Sequence, residues 1–226
     1  MAGLPRPEIL FEADHASRSF ANGTEVRALV DACCHVVAGE RIAIVGPSGS
    51  GKSTLLNLMA GLDDPTSGNV SWPAIGRASQ LRPRQVGVVF QTISLMPALT
   101  SLENVELPLL LAGEETTAET KAREALAVFG IEDLADHLPE ELSGGQAQRV
   151  ALARAIASSP RLVLADEPTG QLDRATSAAV LDHIVGWAEG SRAALVVATH
   201  DEAVADRMQR VWRMDHGRLE AAGTDA

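Results

Sequence analysis

Three stretches carry residue types at spacings that suit phosphate chemistry. The first runs Gly46, Pro47, Ser48, Gly49, Ser50, Gly51, Lys52, Ser53, Thr54 and matches the pattern G-x-x-x-x-G-K-[ST]. Phosphate oxygens need several backbone N–H groups converging on one point. Glycines let the main chain wrap that closely, and a following helix N-terminus adds a favourable dipole. In such a loop Lys52 reaches the β- and γ-phosphates and the Ser53 hydroxyl coordinates Mg²⁺. The second stretch is Asp166 and Glu167, side by side after the apolar run Leu162–Ala165. Two adjacent carboxylates at a buried strand's exit are costly unless a charge of opposite sign faces them. Mg²⁺ supplies that charge. Asp166 is expected to hold it indirectly, and Glu167 is expected to face the attacking water as general base. The third stretch is Leu142, Ser143, Gly144, Gly145 and Gln146. It opens a helix and is a second anion cradle. A Ser cap alone does not explain two successive glycines, which weaken a helix start by roughly 1 kcal/mol each. One bound nucleotide needs one cradle, so the second is expected to serve a γ-phosphate held by a partner subunit.

These stretches need a scaffold. Arg41–Val45 is short, apolar and β-branched and runs into the glycine loop, as a buried parallel strand would. The helix after it is expected from Lys52 to about Ala60, with a stop at Gly61 and a loop over Asp63–Gly68. Val86–Phe90, Leu162–Ala165 and Ala194–Ala198 repeat the buried-strand pattern. Residues 8–13 and 29–37 also read as strands, the second alternating through Val30, Ala32, Cys34 and Val36. Helices are expected over Thr116–Phe129 with a stop at Gly130, over Ser143–Ala157, and over Arg174–Ala188. Strands alternating with helices predict an α/β fold with a largely parallel sheet. Residues 92–159 predict a helical lobe inserted between two core strands. There is no internal repeat and no linker marking a second domain.

The 226 residues carry a formal net charge of −11, which argues against DNA or RNA as the main partner. The only cysteines, Cys33 and Cys34, fall on one strand and should point to opposite faces, which disfavours a disulfide between them. No apolar stretch approaches the ~20 residues that span a bilayer. The start, Met1 to Pro7, lacks the apolar region of a signal peptide. A cytoplasmic protein is expected, with any membrane-spanning part on another chain.

Taken in order with Gln91, Asp173 and Thr199-His200-Asp201, these motifs resemble the nucleotide-binding subunit of an ATP-binding cassette (ABC) transporter along nearly the whole chain. The resemblance implies one nucleotide-binding domain over residues 1–226, with a phosphate-loop ATPase core, a small antiparallel β lobe and the helical lobe. It implies ATP and Mg²⁺ as ligands. Leu142–Ala155 is similar to the signature segment of that family, with Ala147 a departure where a longer polar side chain is common. By resemblance, Gln91 senses Mg²⁺ and water and couples to the membrane partner, Asp173 crosses a dimer interface, and His200 contacts the γ-phosphate. The family stacks an aromatic residue, most often tyrosine, on the adenine. This chain has no tyrosine, and Phe20 stands at the matching place. The implied assembly is a homodimer with two shared ATP sites, bound to an integral-membrane permease on the inner face of the membrane.

Gly61–Gly68, Val88–Gln91, Leu102–Pro108 and Ala165–Gly170 resemble one branch, which holds the ATPases of lipoprotein-releasing, macrolide-exporting, antimicrobial-peptide-resistance and cell-division complexes. Between Gly68 and Gln91 the chain is shorter than that branch's pattern, and Trp72-Pro73-Ala74-Ile75-Gly76 replaces a strand and turn. A trimmed antiparallel lobe is therefore expected. The leading expectation is an ATPase that drives export or extraction of a hydrophobic, peptide-like or lipoprotein-like substrate. A second is the energy unit of a non-transporting complex that regulates cell-wall or signalling activity. A third, a soluble ABC protein on DNA or ribosomes, fits poorly with one compact cassette and an acidic chain.

Overall fold

The computed structural model describes residues 7–22, 24–170 and 172–221, so the first six residues scanned for a signal peptide lie outside it. Strands β1 (Ile9–Asn22) and β2 (Thr24–Val37) form a long antiparallel hairpin. The spans expected at 8–13 and 29–37 are only its base. An antiparallel sheet with one wet face admits residues such as Asp14, Arg18 and Glu25, and these hide the strand pattern. Two β-bulges of opposite sense also break the alternation: β1 holds two residues against one between the pairs Ala13–Cys34 and Ala16–Ala32, and β2 holds two against one between Ala16–Ala32 and Arg18–Leu29.

Next come β3 (Arg41–Val45), helix α1 (Lys52–Met59) and β4 (Ser67–Ser71). β4 pairs with β1, giving a three-stranded sheet in the order β2-β1-β4. The short Trp72–Gly76 segment makes a single antiparallel bridge. Its indole donates to the Met59 carbonyl at 2.8 Å and so ties β4's exit to the end of α1.

β5 (Val86–Val89) leads into the helical lobe, made of α2 (Ser101–Leu111), α3 (Ala118–Val128) and α4 (Gly144–Ile156). The sequence placed α2 only within the helical lobe of residues 92–159, without bounds of its own. Pro108 sits late in the helix, which ends three residues on, and a capping box of Thr100 and Glu103 secures the start. The chain returns through β6 (Leu162–Asp166), α5 (Arg174–Ser191), β7 (Ala194–Thr199), the short α6 (Glu202–Ala205), β8 (Arg210–Asp215) and β9 (Arg218–Ala221). α5 outruns the expected Ala188, and β8 and β9 were not foreseen. The main sheet runs β5-β6-β7-β3-β8-β9, all parallel except β9.

Burial explains the layers. α1 lies between the two sheets, where Leu55, Leu58 and Met59 pack with Phe11, Leu29, Ile42, Ile44 and Leu164. The other face of the parallel sheet, with Val163, Leu195 and Val197, packs on α2 to α5 through Leu109, Leu126, Leu152 and Ile184. β6 and β7 are covered on both faces, which is why they read as unbroken apolar runs. Cys33 is exposed and Cys34 is half-buried, and both are free thiols. Burial pushes the Cys34 thiol up to about 12. Among the described residues no helix is long and apolar enough to cross a membrane.

Candidate functional site

β3 delivers the chain into the glycine loop, and α1 leaves from it at Lys52. Two of the loop's glycines are dictated by their surroundings. A Cβ on Gly46 would stand 2.1 Å from the Met214 carbonyl oxygen of β8, and one on Gly51 would stand 2.2 Å from the Ala28 carbonyl oxygen of β2. The loop is thus clamped between β8 and the hairpin. Its Lys52 is 7% exposed, and the ammonium donates to the carbonyls of Gly46 at 2.8 Å and Pro47 at 3.0 Å. Ser50 is buried, with its hydroxyl oxygen unpartnered.

A cavity of about 530 Å³ opens over this loop. Ser48, Gly49, Gly51, Lys52, Ser53 and Thr54 form its floor, and Gln91, Asp166, Glu167 and His200 its rim. The parallel register accounts for the rim. β5, β6 and β7 all end at the same edge, so the residues that follow them converge. Burial raises the Asp166 carboxyl above its usual range and the neighbouring Glu167 adds to this, against the opposing pull of the Ser53 hydroxyl and Lys52.

Glu167 sits in a left-handed turn with φ of 47°, an uncommon conformation for a residue with a side chain. Its N–H donates to the Ala198 carbonyl at 2.9 Å, and its own carbonyl accepts the Gly170 N–H at 3.1 Å. These bonds aim the carboxylate back over β7. One oxygen lies 2.8 Å from His200 Nδ1, and the other accepts the Thr199 hydroxyl at 3.2 Å. Thr199 is a contributor that the sequence reading quoted in its motif but left without a role. Ala28, a cavity-lining residue from β2, carries no sequence signal at all.

The remaining candidates lie elsewhere. Gly46, Pro47 and Ser50 frame the loop without lining the cavity. Ser143, Gly144, Gly145 and Gln146 are at the start of α4 and do not line it either. There Ser143 Oγ accepts the Gln146 N–H at 3.3 Å, and Gln146 Oε1 accepts the Ser143 N–H at 2.7 Å, a reciprocal cap. A Cβ on Gly144 would meet nothing within 4 Å, and one on Gly145 only ordinary contacts from 3.4 Å outward. Asp173 caps α5, accepting from the N–H groups of Ala175 at 3.0 Å and Thr176 at 3.1 Å and from the Thr176 hydroxyl at 2.5 Å. The Thr176 hydroxyl, more than the N–H groups, holds this carboxyl below its usual range. Phe20 is 37% exposed near the hairpin tip, not in the core, with the Arg18 guanidinium 4.7 Å from its ring centroid.

A groove of about 590 Å³ lies on the helical-lobe side. Leu62, Phe90 and Leu111, each at least 43% exposed, line it beside Val88 and Pro108. Gln91 follows Phe90 directly, so the cavity and the groove meet at one turn of chain.

Comparison with known proteins agrees with this geometry. Residues 29–170 match the family model described as ABC transporter. The chain is 45% identical over 223 residues to the lipoprotein-releasing system ATP-binding protein LolD of Legionella pneumophila (strain Lens), covering 95% of this chain and 98% of that one. A bacterial ABC transporter cassette solved as a dimer superposes with a TM-score of 0.85 at 37% identity, covering 94% of this chain and 99% of that one. Its dimeric post-hydrolysis state bound to ADP and Pi superposes with a TM-score of 0.84 at 36% identity and the same coverage.

Proposed function

The chain belongs to the ABC transporter ATP-binding family and is an ATPase, and from that premise we propose that it drives a permease extracting lipoprotein-like substrates from a membrane. Residues 1–226 act as one nucleotide-binding domain, peripheral on the inner face of the membrane. The permease is a separate chain. Its docking surface is the groove of Leu62, Phe90 and Leu111, because exposed apolar side chains gathered in one concavity mark an interface. Gln91 links that groove to the ATP cavity. The named role of the relatives favours transport over the non-transporting alternative.

The ATP phosphates rest on the loop from Gly46 to Thr54, with Lys52 against the β- and γ-phosphates. Phe20 stacks on the adenine with the ring face that Arg18 leaves open. Mg²⁺ fits beside Ser53, Asp166 and Gln91, because the carboxyl of Asp166 is desolvated and a cation there relieves the cost. When bound, the ion neutralises charge on the phosphates. Glu167 takes a proton from the attacking water, and His200, bonded to it, orients it and reaches the γ-phosphate.

The observation that carries the dimer reading is the mismatch between the two glycine loops. Gly46 and Gly51 are required by their own chain, whereas Gly144 and Gly145 are not. Two successive glycines weaken a helix start, and we read the bare backbone at the start of α4 as kept for something outside the chain. A second copy related by a two-fold axis supplies it, with Ser143, Gly144, Gly145 and Gln146 closing over the γ-phosphate of the opposite ATP and Asp173 at the shared interface. Hydrolysis removes the bridging phosphate and the dimer opens. The test is Glu167→Gln, which keeps the shape but loses the base. Light scattering with ATP and Mg²⁺, beside the permease, should find a lasting dimer, and turnover should fall by about 100-fold or more. A variant that holds ATP yet stays monomeric overturns the shared-site reading.

A further inference from the structure

The first bulge of the hairpin brings together side chains that a regular strand would separate. Asp14 and His15 are consecutive, so in an unbroken strand they would point to opposite faces. Here both stand opposite Cys33, and His15 adopts a left-handed φ of 49°. The distortion is built in. Gly68 of β4 lies so close that a Cβ there would be 2.0 Å from the His15 carbonyl oxygen. As a result a carboxylate oxygen of Asp14, a ring nitrogen of His15 and the sulfur of Cys33 all lie within 4.8 Å of one another. None of the three lines the ATP cavity.

The second bulge supplies the support. It turns Asp31, with φ of 53°, back toward His15, and Asp31 Oδ1 lies 2.7 Å from His15 Nδ1. Asp31 is itself held, because its N–H donates to the Ser17 hydroxyl at 2.9 Å. A carboxylate on Nδ1 fixes the proton there and leaves Nε2 as the free ligating atom, the usual orienting arrangement behind a metal-bound histidine. The Cys33 sulfur accepts the His15 N–H at 3.3 Å, so two of the donor residues are already linked.

We propose that Asp14, His15 and Cys33 form a Zn²⁺ site on the outer face of the hairpin, with Asp31 as its positioning residue. One thiolate, one imidazole and one carboxylate suit a borderline-soft dication better than Mg²⁺ or Ca²⁺. Donors around a tetrahedral zinc stand about 3.5 Å apart, so exposed side chains need to close by roughly 1 Å. Three protein ligands leave the fourth position to solvent. The bound ion joins β1 to β2 across the bulge and stiffens the hairpin whose Ala28 carbonyl abuts the phosphate loop.

The test uses the full chain without nucleotide and takes Co²⁺ as the optical probe. Wild type should bind one Co²⁺ with thiolate-to-metal absorption in the near ultraviolet, and Zn²⁺ should displace it. Cys33→Ser should abolish that absorption, and Asp31→Asn should weaken Zn²⁺ binding by about tenfold. Cys33 is exposed, so Cys33→Ser should melt at the wild-type temperature without metal and keep its ATPase activity. Binding weaker than roughly 100 μM in wild type, or an absorption that survives in Cys33→Ser, overturns the site.

Discussion

The two glycine-rich helix starts use the same residue types in opposite ways. At the start of α1 the loop is packed from both sides, its lysine is folded into it, and a Cβ on Gly46 or Gly51 would strike backbone at 2.1 or 2.2 Å. At the start of α4 the helix is capped by its own Ser143 and Gln146, and a Cβ would meet nothing at Gly144 and only ordinary contacts at Gly145. The first is a finished half of a site. The second is satisfied as a helix by its own reciprocal cap.

The largest expected effect tests the finished half. Lys52→Ala removes a buried cation and leaves the Gly46 and Pro47 carbonyls without their donor, so ATP affinity should fall by about ten- to a hundredfold in calorimetry. Unchanged affinity means the phosphates sit elsewhere. Substitutions at the other half should leave that number alone. Ser143→Arg should bind ATP as a monomer and fail to dimerise. Gly145→Ala sharpens the contrast. Its added methyl meets only ordinary contacts and favours the helix, so the monomer should gain about 0.5–1 kcal/mol in chemical denaturation while the ATP-dependent dimer weakens. A Gly145→Ala dimer as tight as wild type would remove the reason for placing a partner there.

Smaller effects concern the margins of the first half. Phe20→Ala should weaken ATP by about tenfold, with GTP within about tenfold of ATP in wild type, since a ring reads the face of a base and not its edge. Intact affinity would return Phe20 to a structural role in the hairpin. The smallest effect tests Asp166. Its folded pKa lies above the unfolded value, so its contribution to stability is favourable in acid and is lost as pH rises through the folded pKa. Without nucleotide or metal, Asp166→Asn should melt a few degrees above wild type near pH 7, and the gap should close toward about pH 4 as the wild-type carboxyl protonates.

The sequence was most legible where burial is simplest. β3, β5, β6 and β7 are covered on both faces, so their apolar runs showed within a residue or so of their true bounds. The phosphate loop was legible because its geometry tolerates few residue types. Elements with one wet face were harder. β1 and β2 were read short because Asp14 and Glu25 face outward and Arg18 turns to pair with Asp63, and β8 was missed because Arg210, Arg213 and Asp215 interrupt Trp212 and Met214. The clamping of Gly46 by Met214 could not be read at all. It joins residues that only the strand order brings together. The cap that Asp173 provides for α5 was legible, since Asp before a helical run is a strong N-cap.

The strand order also has a consequence for how this protein is made. β3, which carries the phosphate loop, emerges early from the ribosome, yet its two neighbours in the sheet are β7 and β8. The loop is then closed by Met214 from behind and by the Gly217 N–H on the Ser50 carbonyl at 3.0 Å. The loop thus waits on β7, β8 and Gly217, all far along the chain. Such long-range pairing slows folding and leaves the apolar β3 and α1 without partners meanwhile. Chains truncated before residue 210 should engage chaperones and bind no ATP, and competence should arrive abruptly once β8 and Gly217 are present.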